Sequence, residues 1–288
     1  MSTPEQLRDL LAAPGLLVMP CCFDGLSAKL IADAGTTVSF MSGFAASAAR
    51  LGMPDTGLIS FGEMVDSVRN CCAAAPAMPI IADGDTGYGN ALNVQRTVTE
   101  YARAGAAGIM IEDQVSPKKC GHTKGKQVIA RDEARLKIRA AIEAARKADI
   151  LVLARTDARA THGFDEALAR CQDFVAEGAD MIFLEAPETV DEMRHFCATI
   201  RKPCMANMVV GGKTPVLPPA ELEKLGFKLA AYPLVLLSAA VSAMRQAIAA
   251  LQPEADTPQP PQVTFEELKK VVGFPDYYAR EERYLAAE

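Results

Sequence analysis

A single (β/α)8 barrel is the fold that the 288-residue chain predicts, and three observations carry it. Eight short apolar or β-branched runs recur along the chain, amphipathic stretches separate them, and the length suits one α/β barrel of about 250 residues with an extension. Apolar runs that are continuous rather than alternating mean a parallel sheet covered by helices.

The runs are LLVMPC (16–21), TVSFMS (37–42), PIIAD (79–83), GIMIED (108–113), ILVLART (150–156), MIFLEA (181–186), PCMANM (203–208) and KLAAYP (228–233). Helical spacing between them is clearest over 131–149 and 164–180. Another helical run, 234–252, follows the eighth strand, so the barrel is expected to occupy residues 1–252. The polar, proline-rich PEADTPQPPQ (253–262) reads as a linker. It leads into a helical extension over 263–288, where Thr264 and Glu267 have the spacing of a capping box. A helix added beyond a complete barrel needs a surface to cover, and a neighbouring subunit provides one.

Half of the residues are hydrophobic, and the formal net charge of −6 lacks the basic footprint of a nucleic-acid binder. The first residues do not run from a basic segment into an apolar core, and no apolar run reaches the roughly 18 residues of a membrane helix. A cytoplasmic protein without nucleic-acid or membrane partners is therefore expected. The eight cysteines include the adjacent pairs Cys21-Cys22 and Cys71-Cys72 but show no framework spacing, so reduced thiols are expected.

Seven runs finish in or beside chemically capable residues: Cys21 with Asp24, Ser42, Asp83 with Asp85, Glu112 with Asp113, Arg155 with Asp157, Glu185, and Asn207. A parallel barrel brings all of these ends to one face, where catalytic groups sit. In 83-DGDTGYGN-90, two carboxylates two residues apart enter a glycine-rich turn. Close carboxylates disfavour each other's ionisation unless a cation intervenes, which suits Mg2+ with its few direct carboxylates and retained waters, or Mn2+. An acidic turn held by its own hydrogen bonds is the plainer alternative. Arg155 offers a planar donor pair for a carboxylate and Thr214 another donor, so the expected partner is a small polyanion; alternatively Arg155 pairs with Asp157 or Glu185.

The stretch 117-PKKCGHTKGK-126 sets one cysteine beside a histidine, four lysines and two glycines, the composition of a loop with an activated thiol. With a metal and carboxylate site it points to enolate chemistry, in which the metal stabilises an oxyanion and the thiol moves a proton. Cys120, His122 and the Cys71-Cys72 pair lack ordinary zinc spacing. A zinc-bound or inactive barrel scaffold would not need a carboxylate pair, an arginine and a thiol at successive strand ends. His162 and His195 read as structural, and Cys171, Cys197 and Cys204 as small buried hydrophobes.

SGFAASAARLGMPD (42–55), DGDTGYGN (83–90), IEDQVSPKKCGH (111–122), ARTDA (154–158), MIFLEA (181–186) and ANMVVGGKTP (206–215) resemble, in order, the isocitrate lyase/phosphoenolpyruvate mutase superfamily. The cysteine loop resembles its carbon–carbon lyase branch, with 2-methylisocitrate lyase, 2,3-dimethylmalate lyase and the petal death protein. The resemblance implies a magnesium-dependent retro-aldol enzyme acting on a 2-hydroxy di- or tricarboxylate. It implies metal binding by Asp85, with Asp83 and Glu112 acting through water and Asp55 nearby. Ser42, Gly43 and Phe44 would hold the substrate's 2-oxo or 2-hydroxy carboxylate, and Arg155, Glu185 and Asn207 would face the departing part. Cys120 would protonate the product enolate, with His122, Lys119 and the other loop lysines lowering its pKa. The resemblance further implies exchange of the eighth helix between subunits, in dimers that pair into a tetramer.

Two positions depart from methylisocitrate lyases: Phe40 stands where a tyrosine is expected, and 209-VVGG-212 resembles the dimethylmalate lyase and petal death group. A dicarboxylate substrate is therefore favoured. Pro233 resembles the proline of the lyases and argues against the related oxaloacetate hydrolases, while phosphonate-forming mutases lack the cysteine loop.

Overall fold

The computed structural model describes residues 3–121, 125–252 and 258–285. Eight strands close a parallel barrel in chain order: β1 (Leu17–Cys22), β2 (Ser39–Met41), β3 (Ile80–Asp83), β4 (Gly108–Glu112), β5 (Leu151–Thr156), β6 (Met181–Leu184), β7 (Cys204–Asn207) and β8 (Leu229–Tyr232). Each lies inside or within one residue of a run expected from the sequence. β8 closes on β1, with Leu17 opposite Leu229 and Pro20 opposite Tyr232. The continuous apolar character has its expected cause, since all six residues of β5 and all five of β4 are buried.

Helices α1 (Thr3–Ala12), α2 (Gly25–Asp33), α3 (Gly43–Leu51), α4 (Phe61–Ala74), α5 (Ala91–Arg103), α6 (Arg131–Ala148), α7 (Arg159–His162), α8 (Phe164–Glu177), α9 (Val190–Thr199) and α10 (Pro219–Leu225) alternate with the strands. Several start where the sequence supplies a side-chain cap: Asp24, Ser60 and Asn90 each accept from the first-turn amides of α2, α4 and α5. Inside the barrel Met19, Phe40, Ile81, Met110, Leu153, Phe183 and Met205 form one buried cluster. Leu7 of α1 is fully buried in the same cluster, which also holds Leu151 and Leu229 at the starts of β5 and β8. The interior is therefore packed, and a ligand has to bind at the opposite, C-terminal rim.

By compactness the chain forms two units, one through Val235 and one from Leu236 onward. The second contains α11 (Val235–Ala250) apart from its first residue, α12 (Phe265–Val271) and α13 (Phe274–Leu285). α12 begins at the expected capping box, with Thr264 accepting from the Glu267 amide and Glu267 accepting from the Thr264 amide. Residues 253–257 of the expected linker lie outside the described residues, and 258–264 carry no regular structure. Among the described residues no helix is long and apolar enough to cross a membrane.

Candidate active site

A cavity of about 260 Å3 opens among the strand ends of the barrel. Ser42, Asp55, Asp83, Cys120, Arg155, Glu185 and Asn207 contribute its polar wall. Phe40, Phe44, Met110, Phe183, Met205, Val209, Pro233 and Leu234 make the remainder apolar. A ligand of this site must therefore combine anionic groups with a hydrocarbon part.

The DGDTGYGN turn leaves β3 and is held by its own polar groups. The Asp85 amide donates to Asp83 Oδ1 at 2.9 Å, and the Tyr101 hydroxyl donates to the Asp83 carbonyl at 2.9 Å. Asp85 has a left-handed backbone (φ 50°), an uncommon conformation for a residue with a side chain. Gly84 is required by space, because a Cβ there would lie 2.6 Å from the Met110 carbonyl oxygen. The Tyr88 hydroxyl donates to Asp85 Oδ2 at 2.9 Å, which leaves Oδ1 directed to other partners.

That second oxygen meets Lys118, whose Nζ lies 2.6 Å from Asp85 Oδ1 and 2.6 Å from Asp55 Oδ1. All three side chains are almost completely buried. Lys118 thus serves both oxygens at once and hydrogen-bonds Asp55, whereas both oxygens of Glu112 lack a hydrogen-bond partner among the described residues. Burial raises the pKa of Asp55, pushes Asp83 up to about 6 and lifts Glu112 well above the ordinary glutamate value. It works against the Lys118 ammonium too, but Asp85, Asp83, Asp55 and Glu112 outweigh it and hold that pKa well above the usual lysine range. Carboxylates that remain reluctant to ionise beside a firmly charged ammonium are short of positive charge.

The donor set thus fits a hard divalent cation: four buried carboxylates in excess over their cations, with both oxygens of Glu112 left without a hydrogen bond among the described residues. Among the described residues no three His, Cys, Asp or Glu side chains converge as a ready-made ligand group. The cation suited to such an arrangement takes one or two carboxylates and keeps its waters, which is the habit of Mg2+ rather than of structural zinc.

Arg155 at the end of β5 is paired on every side. Nε and Nη2 donate to Asp157 at 2.8 and 3.1 Å, Nη2 lies 3.2 Å from Glu185 Oε2, and Nη1 lies 3.3 Å from Glu112 Oε2. Burial alone would raise the pKa of Asp157, but Arg155 and Lys126 hold it below the ordinary aspartate value. Asp113, joined to Thr156 and Arg170, props this layer from behind through the Asp157 amide. The alternative reading of Arg155 as an internal ion-pair partner is thus realised, while the guanidinium still lines the cavity.

The cysteine loop rises from β4 over this layer. Its base is closed by an antiparallel bridge between Gln114 and Val128. The Gln114 side-chain amide accepts from the Lys119 amide and donates to the Lys119 carbonyl, at 3.0 and 2.8 Å. Lys126 is buried and donates to the Gly121 carbonyl and to Asp157 Oδ1. Cys120 and Gly121 are thereby laid against the cavity. A Cβ on Gly121 would lie 2.6 Å from both Arg155 Nη2 and Glu185 Oε2. The Gly121→Ala variant should accordingly keep its melting temperature and lose about 100-fold in kcat/KM, because a displacement near 1 Å is enough for such a loss. Steady-state kinetics beside a thermal melt will check this.

Of the residues singled out from the sequence, Ser42, Phe44, Asp55, Asp83, Cys120, Arg155, Glu185, Asn207 and Pro233 line this one cavity. Gly43 begins α3, and its amide donates to Asp83 Oδ2 at 3.2 Å, while the Ser42 hydroxyl caps the helix by accepting from the Ala45 amide. Asp85 and Glu112 sit behind the wall, reached through Lys118 and Arg155. Lys119 is exposed, and Thr214 is buried outside the cavity lining. His122 and Lys124 lie outside the described residues. Lys118, Lys126, Gln114 and Asp157 were not singled out for the roles they have here. The first sits in a loop without regular structure, where spacing along the chain does not signal the direction of a side chain.

The phosphoenolpyruvate phosphomutase family matches residues 7–252. The chain is 43% identical over 275 residues to 2,3-dimethylmalate lyase of Eubacterium barkeri, covering 95% of each. It is 41% identical over 246 residues to 2-methylisocitrate lyase of Bacillus subtilis (strain 168), covering 84% of this chain and 80% of that one. A solved structure of oxaloacetate acetylhydrolase with the inhibitor 3,3-difluorooxalacetate superposes with a TM-score of 0.94 at 33% identity, covering 98% and 97% of the two chains. A phosphonopyruvate hydrolase complex with oxalate and Mg++ superposes with a TM-score of 0.85 at 30% identity, covering 99% and 100%.

Proposed function

The chain belongs to the phosphoenolpyruvate phosphomutase family, in the PEP mutase/isocitrate lyase superfamily, and from that premise we propose that it is a Mg2+-dependent carbon–carbon lyase. Its substrate is a 2-hydroxy di- or tricarboxylate of the 2-alkylmalate or 2-methylisocitrate type, cleaved to a 2-oxo acid and a carboxylate. One observation carries the reading: a cysteine, an arginine and a set of cation-deficient carboxylates share a single small cavity with a hydrophobic wall.

Asp85 would hold the cation directly, with Asp83, Glu112 and Asp55 engaging its waters. When bound there, Mg2+, or Mn2+ in its stead, supplies charge stabilisation for the oxyanion that develops during cleavage. The start of α3 at Ser42, Gly43 and Phe44 receives the carboxylate next to the reacting carbon, where helix amides favour an anion. Arg155, Glu185 and Asn207 orient the departing carboxylate, and the apolar wall excludes water. The thiol of Cys120 delivers its proton to the carbon released by cleavage. His122 and Lys119 are assigned to biasing that thiol.

Oxaloacetate hydrolysis is the second reading, favoured by the structural likeness to oxaloacetate acetylhydrolase. Pro233 in the cavity wall, which resembles the proline of the lyases, favours the lyase. A panel of 2-alkylmalates, 2-methylisocitrate, isocitrate, oxaloacetate and phosphonopyruvate with product identification separates them. Cleavage of a 2-alkylmalate or 2-methylisocitrate is expected, and turnover confined to oxaloacetate or phosphonopyruvate would refute the lyase assignment.

We place this activity in residues 1–252, in the cytoplasm, and in a homotetramer built from dimers that exchange the eighth helix. α11 has no buried residue within its own chain, and Met244 and Ile248 are exposed. Light scattering should give four times the 30.7 kDa chain mass at micromolar concentration, and a monomer there would refute the assembly.

A further inference from the structure

Asp85 is aimed by a residue that the proposed chemistry does not use. Tyr88 follows it by three positions in the DGDTGYGN turn, and its hydroxyl donates to Asp85 Oδ2 at 2.9 Å. The other oxygen, Oδ1, belongs to the carboxylate group, where it lies 2.6 Å from Lys118 Nζ. A carboxylate oxygen has lone pairs for more than one partner, so that contact does not close Oδ1 to a cation.

We propose that Tyr88 makes Asp85 a one-oxygen ligand and thereby sets a preference of the site for Mg2+ over Ca2+. The inference rests on the cation site proposed above. Mg2+ is small and demands near-ideal octahedral geometry, in which the narrow bite of a two-oxygen carboxylate fits poorly. Ca2+ is larger and accepts a carboxylate by one oxygen or by both. A hydroxyl seated on Oδ2 therefore leaves Mg2+ its single oxygen and denies Ca2+ the second.

The turn is built to present this hydroxyl. Tyr88 has a left-handed backbone (φ 59°), an outlier for a bulky side chain and a conformation that persists only where the surroundings enforce it. Its ring meets Phe61 at the start of α4 edge-on, with 5.4 Å between centroids, and the Arg96 guanidinium lies 4.5 Å from the Phe61 ring. The Tyr101 hydroxyl, which holds the Asp83 carbonyl, is 3.5 Å from that of Tyr88. Tyr88 lies outside the cavity lining and acts through Asp85, which makes it a positioning residue. Removing such a partner of a metal ligand typically costs about 10–100-fold in metal affinity.

The test measures cation binding and not turnover. Mn2+ bound to the full-length protein is followed by electron paramagnetic resonance and displaced with Mg2+ or Ca2+, in the wild type and in Tyr88→Phe, with a thermal melt of each. Phenylalanine keeps the ring against Phe61 and removes only the hydroxyl. The wild type should bind Mg2+ more tightly than Ca2+. In Tyr88→Phe the Mg2+ dissociation constant should rise about 10–100-fold and that of Ca2+ by less than about threefold, so the preference shrinks or reverses. A merely structural loss would weaken both cations alike, and an unchanged Mg2+ to Ca2+ ratio would overturn the inference. So would a wild type that binds Ca2+ as tightly as Mg2+, a result that needs no variant. A wild type that binds none of the three cations would overturn the cation site itself.

Discussion

Replacing Asp85 by alanine should reduce turnover by about a thousandfold or more while the barrel remains folded. The expectation follows from what Asp85 holds and what holds Asp85. Its Oδ2 is fixed by Tyr88 and its backbone amide by Asp83, so the side chain is presented in one orientation. A cation at Oδ1 would act on the charge that develops in the transition state, a contribution of several kcal/mol, and each 1.36 kcal/mol is a factor of ten in rate. Folding should survive because Lys118 retains Asp55 as a partner. Circular dichroism and kcat measured on the same preparation will check both halves. Excess chelator should reproduce the loss in the wild-type enzyme, and added Mg2+ or Mn2+ should reverse it.

Cys120→Ser should lower kcat by roughly 10²–10⁴-fold and leave KM within a few-fold of wild type. The hydroxyl preserves the shape of the side chain beside Gly121, but serine is a far weaker acid than a thiol. The loss therefore falls on proton delivery and not on binding. Cys72→Ser on α4, partly exposed and outside the cavity, should retain full activity. A Cys120→Ser enzyme within about threefold of wild-type kcat would make the loop a cover and not an acid.

The barrel was legible because every strand is a short continuous apolar run, and such runs are interpretable without knowing which strand is whose neighbour. The position of the site followed from the same pattern, since parallel strands bring Asp83, Glu112, Arg155, Glu185 and Asn207 to one rim. What the sequence did not reveal were the partnerships among charged residues within that rim. The loop lysines read together as a group around the thiol, whereas burial sets Lys118 against the carboxylates of Asp55 and Asp85. Distance along the chain conceals such choices: Lys118 and Asp55 are 63 residues apart, and Lys126 and Asp157 are 31 apart. The exception is Arg155, whose pairing with Asp157 or Glu185 the sequence offers as an alternative, because Arg155 and Asp157 leave one strand two residues apart and so share a side. The role of Gln114 in pinning the Lys119 backbone had no signal in composition or spacing.

In the proposed reaction this cavity breaks a carbon–carbon bond and Cys120 returns the proton. Proton NMR of the wild-type protein with a 2-alkylmalate and Mg2+, followed in parallel with Cys120→Ser, tests it most directly. The wild type should give a 2-oxo acid and a carboxylate in equal amounts, and the variant the same two products at least about a hundredfold more slowly. Equal rates in the two proteins, or consumption of substrate without a 2-oxo acid among the products, would contradict it.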